Sequence, residues 1–146
     1  MPEAQDLTRE ECLPLIRAGV VGRVAVSTPT GPHIVPVNYS VVDDAVLLRT
    51  TPYSLVGTHG RNSVLAFEVD SFDHERQRGW SVVVRGRASA VDDAEARRHI
   101  DETRPPRPWA SGQRWLMLRI PMTEVSGRRL GGSWDLQSAM PVRRTG

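Results

Sequence analysis

Six consecutive residues, Arg49-Thr50-Thr51-Pro52-Tyr53-Ser54, contain the side chains of this sequence that are best suited to bind an anion. They follow an apolar run and precede a segment, Ser54 to Gly60, that can form one or two helical turns. An Arg guanidinium can form two parallel hydrogen bonds with a phosphate, and hydroxyls and backbone N–H groups at a helix start take the remaining oxygens. The same residues also fit an ordinary N-capped turn with a surface Arg, and their spacing alone does not separate the two interpretations.

The sequence contains none of the common catalytic or metal-binding motifs. It has no Gly-x-Ser-x-Gly elbow, no His-Glu-x-x-His zinc pair and no Gly-rich phosphate loop. Cys12 is the only cysteine, which excludes an internal disulfide and favours a role as a small core residue. The acidic run from Asp70 to Glu75 lacks the ligand spacing of a calcium loop and is interpreted as a solvated loop. We therefore expect no metal, and no catalytic side chain is identified.

The elements that must position the Arg49–Ser54 stretch are short strands. From Val21 onward apolar residues recur at every second position, and turn residues such as Asp43-Asp44 separate the runs. The predicted strands cover residues 22–27, 33–39, 45–49, 64–69, 80–91 and 114–120, and Asp70 to Gly79 is predicted as a charged loop. Such short strands at hairpin spacing favour a closed antiparallel barrel, because closure removes exposed edges.

Two short helices flank these strands. Thr8 and Glu11 fit a capping box at the start of the first, and Gly19 is a plausible stop. The second is predicted to begin at Asp92 and to run to about Glu102, where a Pro-rich segment ends it. The predicted fold class is therefore mainly β, a β-barrel with short flanking helices.

Length and charge restrict the class of protein. A chain of 146 residues with 39% hydrophobic and 25% charged residues fits one globular domain. All 19 basic residues are Arg, they are scattered among acids, and the net charge is only +2, so we expect no nucleic-acid partner. No apolar run approaches the ~20 residues of a membrane span, so no membrane association is expected. The polar N-terminus and single cysteine lead us to expect a cytoplasmic location.

An ordered set of motifs gives this sequence a family resemblance. The motifs are GRVAV at residues 22–26, PVNY at 36–39, LRT at 48–50, AFEVD at 66–70, GWSVVVRGRA at 79–88 and VSGRR at 125–129. The set resembles the pyridoxamine 5'-phosphate oxidase-like family of FMN-binding split barrels, and small actinobacterial-type members in particular. The resemblance covers roughly residues 7–130.

The resemblance implies a fold, a partner and a cofactor. It implies a six-stranded antiparallel, Greek-key-like split barrel over residues 1–130, usually a homodimer with a flavin in each of two clefts at the subunit interface. Residues 131–146 are expected to form a C-terminal tail that is flexible or covers the partner subunit. The implied cofactor is FMN, and a deazaflavin fits the same cleft.

The resemblance also implies cofactor-binding residues. Arg49, Thr50 and Ser54, together with Thr51, match the phosphate-binding positions of the family. The strand that contains Val24 and Val26 matches a wall of the isoalloxazine site, as do Pro36, Val37 and Asn38. Trp80 and Ser81 match a flavin contact, although Trp80 equally fits packing in the core.

One departure from the family pattern affects the phosphate site. Many relatives read Arg-Thr-x-x-Gly-(Ser/Thr)-Lys-Leu, whereas this sequence has Tyr53-Ser54-Leu55 in place of Gly-(Ser/Thr)-Lys. Losing one charge-assisted hydrogen bond costs about 1.5–3 kcal/mol, or tenfold and more in affinity. We expect a flavin that is loosely bound, exchangeable or absent from the purified protein unless Arg61 or His59 compensates.

The implied activity is that of a flavin-dependent oxidoreductase that passes a hydride from a reduced nicotinamide to a small-molecule substrate. The alternative is a non-catalytic flavin, deazaflavin or haem binding or sensor protein. Pyridoxamine-phosphate oxidation itself is less favoured, because Trp134 with Arg143 or Arg144 matches the C-terminal pattern of the oxidases only faintly.

Overall fold

The computed structural model describes residues 4–109 and 112–131 of the chain. Within these residues the chain is mainly β, with ten strands and three helices. The elements in chain order are β1 (Gln5–Leu7), α1 (Arg9–Ala18), β2 (Val21–Thr28), β3 (Gly31–Asn38), β4 (Ser40–Val42), β5 (Ala45–Thr50), α2 (Leu55–Gly60), β6 (Val64–Asp73), β7 (Arg78–Arg87), β8 (Ser89–Ala90), α3 (Ala94–Thr103), β9 (Leu116–Pro121) and β10 (Glu124–Leu130).

The strands form two antiparallel sheets that enclose one main core. The larger sheet has the order β1-β10-β7-β6-β2-β3, and the smaller has the order β4-β5-β9-β8. Phe67 and Trp80 of the larger sheet and Leu48 and Leu118 of the smaller are all fully buried in this core. The predicted split barrel with short flanking helices is confirmed. The tail predicted for residues 131–146 lies, apart from Gly131, outside the described residues.

Helix α1 begins with the predicted capping box. The Glu11 amide donates to the Thr8 hydroxyl at 3.2 Å, and the Thr8 amide donates to the Glu11 carboxylate at 3.0 Å. Cys12 and Ile16 bury their side chains against the barrel, which confirms the core role of the cysteine. The helix therefore packs against the main core, and its cysteine thiol is buried there.

Helix α3 covers the outer side of the smaller sheet. Its N-cap is Asp93, one residue after the predicted Asp92, because the Asp93 carboxylate accepts the Ala96 amide at 2.9 Å. Ile100 packs with Leu47 and Met117 in a second, smaller core between the helix and the sheet. Odd-numbered residues of β5 therefore face α3, whereas even-numbered residues face the main core.

Two strand predictions are wrong. The charged loop predicted from Asp70 to Gly79 is a hairpin, because β6 continues to Asp73, which lies opposite Arg78 of β7, and only residues 74–77 form the turn. Charged residues are tolerated there since one side of the hairpin faces solvent. The single strand predicted over 80–91 is divided at the buried Ala88, whose amide donates to the Ser63 carbonyl, and β8 joins the smaller sheet.

The helices of the described residues include none with the length and hydropathy that a membrane-spanning segment requires.

Candidate functional site

Residues 50–57, which run from the last residue of β5 through the link to the first turn of α2, are called the hydroxyl turn below. The Thr50 hydroxyl lies 2.5 Å from the Ser54 hydroxyl. Ser54 is the N-cap of α2: its hydroxyl accepts the Gly57 amide at 2.9 Å and donates to the Thr51 carbonyl at 2.9 Å. Because a hydroxyl carries one hydrogen, Thr50 is the donor in its contact with Ser54. The predicted residues Thr50, Thr51 and Ser54 are thus brought together.

Gly57 allows the hydroxyl turn to close. A Cβ atom at this position would overlap the carbonyl oxygen of Thr51, which lies against the helix. At Gly60, one turn further along α2, the nearest side-chain atom, on Leu65, would lie 3.3 Å from an added Cβ. The close approach is therefore a property of Gly57 rather than of the whole helix.

Arg49 lies on the opposite face of the sheet from Thr50. As an odd-numbered residue of β5 it points toward α3, where its Nη2 atom lies 2.9 Å from Oδ1 of Asp101. Its Nε atom is buried and has no hydrogen-bond partner among the described residues. Arg49 was predicted to bind an anion together with the hydroxyls, whereas in the structure its guanidinium is paired with a carboxylate on a helix that is remote in sequence.

The positions beside Ser54 carry apolar side chains that face solvent. Tyr53 is 87% exposed and Leu55 is 42% exposed, whereas Val56 is buried in the main core. Arg61, one of the two residues considered as a replacement cation, donates from Nε to the Gly57 carbonyl at 3.0 Å. It is therefore engaged with the end of its own helix.

The residues predicted to line a flavin ring divide between the two faces of the larger sheet. The side chains of Val24, Val26 and Trp80 are fully buried in the main core, so these residues present only their backbone to the outer face. The Trp80 indole nitrogen has no hydrogen-bond partner within the described residues. Pro36 and Ser81 alternate with core residues and lie on the outer face.

Val37 and Asn38 are half-buried at the end of β3. The Asn38 side-chain oxygen accepts the backbone amide of Trp109 at 2.8 Å, which ties the Pro-rich segment after α3 to this strand. The Trp109 side chain is 75% exposed. Asn38 therefore links the larger sheet to the segment that follows α3.

Three charged residues that were not predicted from the sequence as a site lie on the same outer face. They are Arg23, Glu68 and Asp70, and they are called the outer-face cluster below. Arg23 Nη2 lies 2.8 Å from Asp70 Oδ2 and 3.0 Å from Glu68 Oε1. Arg23 pairs with Pro36 across β3, and Asp70 pairs with Ser81 across β7. The cluster therefore lies between two of the predicted ring-lining residues.

The outer-face cluster holds a proton near neutral pH. Burial, together with the hydrogen bond and the charge of Asp70, raises the pKa of Glu68 to about 7. Burial acts in the same direction on Asp70, but hydrogen bonds with Glu68 and Arg23 outweigh it, and the pKa of Asp70 is lowered. The signal in the sequence was the Glu-x-Asp spacing, which places two carboxylates on one face of a strand.

The described residues contain no group of three or more side chains arranged to hold a metal ion. The chemistry available is thus hydroxyl and amide hydrogen bonding at the hydroxyl turn, and proton exchange at the outer-face cluster.

Comparison with known proteins adds a family and several relatives. A family model described as pyridoxamine 5'-phosphate oxidase matches residues 8–129. The uncharacterised protein Rv0080 of Mycobacterium tuberculosis is 40% identical over 98 residues, which are 64% of this chain and 64% of that protein. The match thus spans slightly less than two thirds of the length of that relative.

Two solved structures resemble the whole fold. The FAD binding protein from Mycobacterium smegmatis is 27% identical, with a TM-score of 0.68 over 88% of this chain and 99% of that one. A candidate pyridoxamine 5'-phosphate oxidase from Corynebacterium glutamicum is 28% identical, with a TM-score of 0.75 over 92% of this chain and 98% of that one.

Proposed function

This chain belongs to the pyridoxamine 5'-phosphate oxidase family, and we propose that it is a flavoprotein that binds FMN. The observation that carries the proposal is the hydroxyl turn, where Thr50 and Ser54 present paired hydroxyls within the matched residues. Similarity to the FAD binding protein from Mycobacterium smegmatis supports a flavin as the ligand.

The proposed phosphate ligands are Thr50, Thr51 and Ser54; Arg49, predicted with them, points to the opposite face of β5 and would have to leave Asp101 to reach the same phosphate. In the structure the hydroxyl hydrogens are used within the turn, so a bound phosphate has to replace those internal hydrogen bonds. Leu55 supplies no charge, and Arg49 is paired with Asp101. These features support weak, exchangeable FMN binding.

The proposed ring site is the outer face of the larger sheet near Pro36, Asn38 and Ser81, with the backbone of β2 at Val24 and Val26. Peptide N–H and C=O groups suit the polar edge of the ring. We propose that a second copy of the chain completes this cleft. Ile34 and Val64, which are 71% and 47% exposed on the same face, support such a homodimer because they offer apolar area to a partner.

The proposed activity is the transfer of a hydride from a reduced nicotinamide to a small-molecule substrate. A bound flavin supplies the redox chemistry, and the protein supplies position and shielding from water. Glu68, whose pKa lies at about 7, is placed on the outer face to hold or release a proton at neutral pH.

A non-catalytic flavin, deazaflavin or haem carrier or sensor is the second candidate. It is favoured by the hydroxyl turn itself, whose polar side chains cap a helix and pair with each other instead of forming an acid–base pair. In this case the chain holds its ligand and leaves it unreacted.

An absorption spectrum of the purified protein, with mass spectrometry of any released ligand, tests the proposal. A titration with FMN follows, and then anaerobic addition of NADH or NADPH. Bound flavin that is bleached supports the oxidoreductase, and bound flavin that is not reduced supports the carrier. A colourless protein whose spectrum and fluorescence do not respond to added FMN contradicts the FMN-dependent oxidoreductase and the FMN carrier, and a deazaflavin or haem carrier is then tested by titration with those ligands.

A further inference from the structure

We propose that binding of the flavin ring is coupled to the uptake of one proton from solvent by the Glu68 carboxylate, so that Glu68 makes the affinity for the ring depend on pH. The inference rests on the proposed function, because it concerns the same ring site. It does not depend on how the phosphate is held. The proton stays on the protein, and Glu68 acts on the ring through the charge of the outer-face cluster.

The outer-face cluster borders a flat apolar area of the proposed ring site. Arg23 and Glu68 lie directly opposite each other on β2 and β6, and the next pair along the same face is Ala25 opposite Ala66. An alanine side chain is a single methyl group, so a planar ring can lie flat on this pair. The polar edge of such a ring then covers the cluster.

Within the outer-face cluster the guanidinium is committed to Asp70. Arg23 donates a hydrogen bond to Asp70 Oδ2 at 2.8 Å. Glu68 Oε1 lies 3.0 Å from the same Nη2 atom, but it is buried and forms no hydrogen bond with any described residue. Burial, together with the hydrogen bond and the charge of Asp70, raises the pKa of Glu68 to about 7. Glu68 is therefore the member of the cluster that takes up the proton.

The neighbouring strands supply no second cation for Glu68 within the described part of the sheet. Its partner on β7 is Val83, which carries no charge. The other arginines of this face already have partners, which are Glu124 for Arg85, the Asn62 carbonyl for Arg87 and Asp6 for Arg128. An ionised Glu68 thus leaves the cluster with one excess negative charge, whereas a protonated Glu68 leaves it neutral.

This charge difference couples the proton to the ring. A ring that covers the outer-face cluster removes water from it, and the removal of water from an unbalanced charge costs far more free energy than its removal from a neutral carboxyl group. The ring therefore binds preferentially to the form in which Glu68 is protonated. Raising the pH empties this form and weakens binding.

The test is the riboflavin affinity of the full chain, measured by fluorescence titration from pH 5 to pH 8. Riboflavin is the probe because a phosphate monoester itself titrates at about pH 6. With the pKa of Glu68 at about 7, the protonated fraction falls about tenfold from pH 6 to pH 8, so riboflavin should bind about tenfold more weakly at pH 8. Glu68→Gln is neutral throughout this range and should keep the affinity of the wild type at pH 6.

Two further variants assign the proton. Glu124→Gln is the matched control, because it removes the same charge from an exposed position on the same face, and it should keep the pH dependence of the wild type. Asp70→Asn removes a charge that raises the pKa of Glu68, so the midpoint of the pH dependence should move to lower pH. An unchanged midpoint in Asp70→Asn, or pH dependence that persists in Glu68→Gln, would overturn the inference.

Calorimetry of the wild type tests the coupling without any variant. Riboflavin binding in two buffers of different ionisation enthalpy should show uptake of most of one proton at pH 8 and almost none at pH 5. No uptake at pH 8, or a riboflavin affinity independent of pH, overturns the coupling and leaves the proposed flavoprotein intact. If the wild type binds neither riboflavin nor FMN at any pH, the proposed function itself fails.

Discussion

The hydroxyl turn and the outer-face cluster are held together in opposite ways. In the hydroxyl turn, Thr50, Ser54 and the Gly57 amide bond to one another within eight residues, and none of these hydrogen bonds involves a charged side chain. In the outer-face cluster, two carboxylates share one guanidinium that comes from a different strand. One region is locally satisfied and neutral, and the other is assembled by strand pairing and carries charge.

Because the two regions are built differently, we expect ligand recognition to depend on one of them and pH dependence on the other. Recognition at the hydroxyl turn depends on shape and on replaceable hydrogen bonds, so it should respond to steric changes and to added charge. The outer-face cluster contains Glu68, whose pKa is about 7, so pH dependence should arise there. Each prediction below changes one region and asks whether the other is unaffected.

The largest expected effect is that of Gly57→Ala. Alanine normally favours a helix over glycine, but here its methyl group overlaps the Thr51 carbonyl. We expect the unfolding free energy to fall by about 1–3 kcal/mol, as for other overpacked sites. FMN binding should become undetectable, because the turn that holds the hydroxyls is displaced. Urea denaturation and an FMN titration measure both effects.

Gly60→Ala is the control for this prediction. Its nearest neighbour, on the Leu65 side chain, would lie 3.3 Å from the new methyl group and has to move by only a few tenths of an ångström, so the loss of stability should be much smaller than for Gly57→Ala and FMN binding should be retained. Similar losses in the two variants would show that the close approach to Thr51 is not what the turn requires.

The next effect is a gain from Leu55→Lys, which places a cation beside Ser54. Leu55 is 42% exposed, so little core packing is lost. A charge-assisted hydrogen bond contributes about 1.5–3 kcal/mol, so FMN should bind about tenfold or more tightly. Riboflavin should bind as it does to the wild type. An equal gain for both ligands would place the phosphate away from the hydroxyl turn.

The third effect is a change in pH dependence in Glu68→Gln. The pKa of Glu68 is raised from 4.5 to about 7 in the folded chain, so the folded state binds more protons than the unfolded state between these values. The unfolding free energy of the wild type should therefore fall as pH rises through this window. Glu68→Gln should remove that fall, which urea denaturation at pH 5 and pH 8 detects.

The titration of Asp70 does not obscure the fall in unfolding free energy that is linked to Glu68. The pKa of Asp70 is lowered from 3.8, so the stability linked to it is lost only at more acidic pH. Glu124→Gln is the control, because Glu124 is paired with Arg85 on the same sheet but is 67% exposed. This variant should keep the pH dependence of the wild type. If Glu68→Gln keeps it as well, the proton does not reside in the outer-face cluster.

How far each region could be predicted follows from how local its contacts are. The hydroxyl turn was visible because Thr50 and the N-cap Ser54 lie within one short stretch. The partner of Arg49 was not, because Asp101 is 52 residues away and meets it only through the packing of α3. The sequence shows that Glu68 and Asp70 share one face of a single strand. Arg23 joins them only through the register of β2 and β6, which the sequence does not show.

The elements of the fold, too, could be predicted only where they depend on neighbouring residues in the sequence. The capping box of α1 and the strand before the hydroxyl turn depend on near neighbours and were predicted correctly. The β6–β7 hairpin was mistaken for a loop because its end is rich in charge, which hid the alternation that pairs Ser71 with Trp80. Ala88, which divides the predicted long strand, looks like any other strand residue in the sequence.

The most direct test of the central claim is the ratio of FMN to riboflavin affinity in the wild type and in Thr50→Val. Valine keeps the shape of threonine and removes the hydroxyl that lies against Ser54. If the hydroxyl turn holds the flavin phosphate, the wild type prefers FMN, and Thr50→Val loses that preference while its riboflavin affinity is retained. Equal preference for FMN in both proteins would contradict the account.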